Sequence, residues 1–210
     1  MRTTIAAITL LLASGAPMRS GAAQARDLPP NLARAGVIGG ASFSTFVGPD
    51  ASWAGMRTGA FAGLVAAFPL GRLVFLEPRL EFATRGTTAD SAGLHGTLRL
   101  DYASAALLLG LRLPLTVGPI HPVVLAGPTL SFPTECLSAP LGGSWCDYHG
   151  RQFQLGASAG AGIVASVGVV TLDVTALYRR GFVRVISVER YHDAGLDLGA
   201  ALMVPLPWGY

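Results

Sequence analysis

Four histidines, His95, His121, His149 and His192, are the side chains best suited to proton transfer or metal binding in this sequence. Asp90 and Ser91 shortly precede His95, and Asp147 precedes His149 by two residues. These are the ingredients of an activated hydroxyl, which needs a base within hydrogen-bond reach and a carboxylate to orient that base. No motif of fixed spacing frames either group, and polar connections on any exported protein carry such residues. We therefore expect no catalytic residue, and the chain is read as a non-enzyme. Cys136 and Cys146 flank "LSAPLGGSW". Without a second pair or a histidine at ligand spacing they do not make a metal site, and no metal or cofactor is expected. A close pair in a Gly- and Pro-rich segment of an exported chain is expected to form a loop disulfide.

A second set of residues has a different regularity. In "LVFLEPRLEFATRG" Glu77, Arg79 and Glu81 stand two apart, with Leu76, Pro78, Leu80 and Phe82 between them. In a strand, successive side chains point to opposite faces, so one face is charged and the other greasy. The same alternation sets Arg99 and Asp101 against Leu98, Leu100 and Tyr102. It sets Asp173 against Leu172 and Val174, and Asp197 against Leu196 and Leu198.

Composition says which face meets water. The chain is 51% hydrophobic and 13% charged, with a mean hydropathy of +0.50; soluble domains carry roughly 25% charged residues. A spanning helix needs about 20 apolar residues in a row, and after the N-terminus Gly, Pro or a charge breaks every run sooner. A transmembrane β-barrel resolves the conflict, because its membrane signal lies in alternation. The greasy face is then expected to meet lipid. The charges are expected in the lumen, as a cluster of Glu77, Arg79, Glu81, Arg99, Asp101, Asp173 and Asp197. A soluble sandwich is the competing reading, but its polar faces would carry charges at every second position. Here those faces are filled largely by Gly, Ala and Ser. Gly36, Gly40, Gly59, Gly63, Gly156, Gly160 and Gly162 leave either a narrow passage or room for Phe61 and the arginines; a filled lumen is favoured over a narrow pore.

Residues 1–25 read as a cleaved signal peptide: basic Arg2, apolar "IAAITLLLA" and the small-residue site "AQA". All 15 basic residues are arginine, and two of them, Arg2 and Arg19, fall in the signal. The mature charge is close to neutral, which gives no case for nucleic acid. The mature domain, 26–210, is expected to hold eight strands at about 34–46, 57–69, 72–86, 95–113, 120–133, 151–165, 168–184 and 194–208. Short connections alternate with longer polar ones at 47–56, 87–94, 135–150 and 186–193, as in an up-and-down barrel with periplasmic turns and external loops. The chain ends on alternating Leu206, Trp208 and Tyr210, an insertion signal of the kind read by the barrel-insertion machinery. Pro205 and Pro207 interrupt that strand, and pairing is expected to fray after Val204.

Read in order, "GVIGGASFSTFVG" (36–48), "GAFAGLVAAFPLGRLVFLEPRLEFATRG" (59–86), "LDYASAALLLGLRLPL" (100–115), "HPVVLAGPTLSF" (121–132), "FQLGASAGAGI" (153–163) and "LDVTALYRRGF" (172–182) resemble the PorT-like outer-membrane β-barrel domain. The resemblance implies an all-β barrel of about eight strands in the outer membrane, surrounded by lipid. It implies no single activity and supplies no catalytic residues. The function expected is structural or surface-interacting, with an external or envelope protein partner met by the long loops. The alternatives are a narrow pore and, less favoured, a lipid-modifying enzyme.

Overall fold

The computed structural model describes residues 32–49, 51–91, 94–115, 120–139, 153–182 and 192–206. Eight strands account for nearly all of them: β1 Arg34–Val47, β2 Ala54–Pro69, β3 Val74–Ser91, β4 Leu94–Arg112, β5 Ile120–Ala139, β6 Gln154–Val167, β7 Val170–Gly181 and β8 His192–Pro205. Each pairs antiparallel with the next, and β1 pairs with β8 from Arg34↔Pro205 to Val47↔His192. The result is a closed barrel with no free edge around its girth, the arrangement that lets strands cross lipid with their backbone groups satisfied.

Every expected strand is present, and the β2–β3 and β6–β7 turns lie where the sequence places them; most of 114–119 lies outside the described residues. The Leu70 N–H donates to the Val74 carbonyl (2.9 Å) across the β2–β3 turn. Gly168, with φ at +61°, opens the two-residue β6–β7 loop, a conformation that favours glycine. The other end differs from expectation. Most of 87–94 is strand, because β3 and β4 stay paired up to Ser91↔Leu94. Likewise β5 runs to Ala139, and Ala51–Trp53 form a short 3-10 turn before β2. Pairing at the C-terminal end does not fray after Val204: Pro205 pairs with Arg34, and the Leu206 N–H donates to the Ala33 carbonyl (2.8 Å). Proline lacks a donor, but the residue after it supplies the next one. Trp208, Tyr210 and the segment 1–25 lie outside the described residues.

The two faces separate as the alternation requires. Val37, Leu64, Leu80, Phe82, Leu109 and Leu198 point outward and are more than a third exposed. Water-soluble monomers do not carry so continuous an apolar belt, so this is the lipid-facing wall. Inside, Ile38, Phe61, Val65, Phe75, Leu108 and Val123 belong to one apolar cluster. A Cβ on Gly40 or Gly160 would lie 2.0 and 1.9 Å from the carbonyl oxygens of Leu198 and Ala176, so these glycines permit close approach of backbone. The room left at Gly110 and Gly199 is taken by the rings of Phe75 and Phe61.

Candidate functional site

The inward face of β3 carries Glu77, Arg79 and Glu81 at two-residue spacing and, beyond Ala83, Arg85, and β7 and β8 bring Asp173, Arg179, Asp193 and Asp197 to the same lumen. The Arg79 Nε donates to Glu77 Oε1 (2.8 Å), and its Nη2 lies 2.7 Å from the same oxygen. Its guanidinium also reaches Glu81 (3.8 Å) and donates to the Thr175 hydroxyl (3.4 Å). Towards the long-connection end Arg179 pairs with Asp197 and with Asp193 (3.4 Å). Asp197 also accepts from the Ser42 hydroxyl (2.6 Å) and lies 3.8 Å from Arg85. Arg85 stands over the Tyr102 ring, 5.5 Å from its centroid, and donates to Ser104 and Ser131 (3.5 Å each). The space between these groups is about 20 Å³, room for roughly one water molecule. Burying so many charges is tolerable only because each guanidinium faces carboxylates. Nothing among them forms a nucleophile with its base; the set can hold charge and cross-link the walls.

Five of the seven expected cluster residues, Glu77, Arg79, Glu81, Asp173 and Asp197, face the lumen. Arg99 and Asp101 do not join them, which corrects the expectation. On β4 it is Leu98, Leu100 and Tyr102 that point inward. Leu98, Leu100 and Tyr102 pack with Phe46, and Trp53 and Cys136 lie against this second apolar cluster. The inward side of β4 is apolar here, and alternation turns Arg99 and Asp101 to the outer wall, where Asp101 is only 2% exposed. There they lie beyond Ala103, Leu107, Leu109 and Leu111, the outward apolar residues of β4. They make their own two-bond pair (3.0 and 2.7 Å), with 41% of the Arg99 side chain exposed. The hydrogen bond from Arg99 holds the Asp101 carboxyl below its usual range.

Three members of the charge cluster escaped the sequence reading. Arg85 shares the parity of Glu77, Arg79 and Glu81, and Arg179 that of Asp173, so alternation alone would have found both. Asp193 was expected in an outer loop, but β8 begins at His192 and Asp193 pairs with Phe46. Of the expected disulfide, Cys136 lies part-buried in β5, while Cys146 lies outside the described residues. The side chains of Asp90, Ser91 and His95, and the residues Asp147 and His149, also lie outside them.

No family model matches the chain, and no curated protein does. Solved structures do match. Neisserial surface protein A is 12% identical, with a TM-score of 0.51, over 83% of this chain and 99% of that one. The outer membrane protein OprG from Pseudomonas aeruginosa is also 12% identical with a TM-score of 0.51, over 83% of this chain and 93% of that one. At this identity the likeness is one of fold: a small, closed, eight-stranded outer-membrane barrel.

Proposed function

We propose that this outer-membrane barrel is a non-enzymatic, PorT-like surface-interaction protein. Its lumen is largely filled, and it offers its long-connection end to a protein partner outside the cell or in the envelope. The observation that carries this reading is the unequal height of the wall. Strands β3, β4 and β5 have 18, 19 and 20 residues, whereas β7 has 12. Crossing the hydrocarbon takes about 9–11 tilted residues, so β3–β5 rise well past the lipid on one side. On β4 the outward apolar run ends at Ala103, and Arg99 and Asp101 follow it. A raised three-stranded platform gives a partner a rigid surface without any need for an open lumen. In this reading a signal peptide over 1–25 exports the chain, and Leu206, Trp208 and Tyr210 guide its insertion. The pair Cys136 and Cys146 closes the β5–β6 connection.

The filled lumen is supported by the small space among the charges and by the two apolar clusters on either side of them. Single-channel recording from the mature chain refolded into a planar bilayer tests it. Inserted protein is expected to be silent. Defined conductance steps would replace this reading with that of a narrow pore.

A further inference from the structure

The lumen charges divide unevenly. Near the long-connection end Arg85 and Arg179 face Asp193 and Asp197, two against two. Glu81 stands between the two groups, within reach of Arg79 and acted on by Arg85 and Arg179; lower down, Arg79 stands with Glu77 and Asp173. Glu77 is 0% exposed and Asp173 2%. Both sit in the apolar layer: Glu77 is paired across the sheet with Leu108, and Asp173 lies between Val164 and Ala201. The nearest donors of Arg79 all go to Glu77 Oε1. Glu77 Oε2 and Asp173 Oδ1 are buried without a hydrogen-bond partner. Strands β3 and β7 are four places apart in the ring of eight, so the two acids come from opposite walls. Arg79 donates across the lumen to Thr175 of β7 (3.4 Å), which sets Glu77 and Asp173, each two residues back on its own strand, at the same level, and the charges that act on Asp173 are those of Glu77 and Arg79. The other inward titratable groups of this half, Arg34 of β1, Arg112 of β4 and His121 of β5, lie nearer the short turns, and Arg34 and Arg112 act on each other.

Two ionised carboxylates can only accept, so neither satisfies the other, and one arginine cancels only one of their charges. An uncompensated charge in an apolar layer is strongly destabilising. We propose that Glu77 and Asp173 together bind one proton, so that a carboxylic acid donates to a carboxylate across the lumen and ties β3 to β7. The proton comes from water, and no other bond is made or broken. A metal ion is disfavoured, because a hard cation takes about six or more oxygen ligands. Among the described residues no third acid, histidine or cysteine completes a set, and neither acid lines the small space beside Arg79. The proton is the ligand that needs no room.

The sign of the pH effect follows. The folded pair keeps a proton that free carboxyls of the unfolded chain lose above about pH 4. Across the range in which only the folded state holds it, stability falls as pH rises, and it levels off once the pair has released the proton. The test is thermal unfolding of the refolded mature protein in detergent micelles, from about pH 4.5 to pH 8, compared with Asp173→Asn and Glu77→Gln. The unfolding midpoint of the native protein, measured relative to Asp173→Asn, is expected to fall steadily with pH. At the upper end the variant is expected to be at least as stable as the native protein. An infrared carbonyl band of a protonated carboxylic acid is expected in the folded native protein at neutral pH and not in the variant. Glu77→Gln serves the same comparison if Asp173→Asn does not refold, and the infrared band needs no variant. A constant offset between native and variant at every pH, with no such band, would overturn the proposal. So would a midpoint raised by millimolar calcium or magnesium in the native protein alone, which would make the pair a cation site.

Discussion

Arg179→Ala is expected to lower the free energy of unfolding by about 3–5 kcal/mol, the cost of stripping the partner from buried charges. Arg179 pairs with both Asp193 and Asp197, and all three are nearly inaccessible to water. Without it Asp197 keeps only Ser42 and the more distant Arg85, and Asp193 loses the one cation it contacts among the described residues. Arg179→Lys is expected to recover little, because an ammonium lacks the planar fork that serves two carboxylates at once. Adding Asp197→Asn to Arg179→Ala is expected to restore part of the loss, since it removes one of the orphaned charges. Urea unfolding of the refolded barrel measures the four proteins side by side. Equal stability of Arg179→Ala and the native protein would mean that the charges are hydrated and not buried in a lumen.

The second large effect is expected at Phe61. Its ring is 5% exposed, belongs to the lumen cluster and fills the space in front of Gly199. Phe61→Ala is expected to cost about 3–5 kcal/mol, the loss of buried apolar surface plus the cavity left behind. Phe82 supplies the control, because it is also aromatic but points outward and is 53% exposed. Lipid or detergent closes over the gap left by Phe82→Ala, so that change is expected to cost far less. The comparison separates the two faces: in a barrel with its core inside out, Phe82 would be the costly position. The same unfolding assay reads both.

Much of this was legible in the residues. The eight strands, the closed antiparallel order and the charged ladder of β3 all follow from period-two alternation and turn chemistry. What alternation does not supply is the choice of face where both faces are plausible. Between Leu98 and Tyr102 the charged positions resemble the lumen pattern of β3, but the inward positions there, in phase with Ser104 and Leu108 further along β4, are the apolar ones, so the charges face out. Nor does a strand's own pattern reveal its partners. Arg179 and Asp197 meet through the β7–β8 register, and Arg85 reaches Asp197 from the other side of the chain. The run after Gly86 reads as a loop because its polar Thr, Asp and Ser residues are followed by Gly93 and show no apolar alternation. It is held as strand because its backbone pairs with β4 up to Ser91↔Leu94, and that ladder does not depend on apolar alternation. The glycines were ambiguous for a similar reason: an absent side chain marks space without showing whether backbone, a ring or water occupies it.

The greasy face meets lipid while the charged face is enclosed. Nitroxide labels placed singly through positions 103–111 of β4 test it most directly, in a background carrying Cys136→Ser and Cys146→Ser and reconstituted in bilayers. Collisions with lipid-dissolved oxygen are expected to be frequent at 103, 105, 107, 109 and 111, and rare at 104, 106, 108 and 110. A profile of opposite phase, or contact with a water-soluble relaxation agent at the odd positions, would contradict the account.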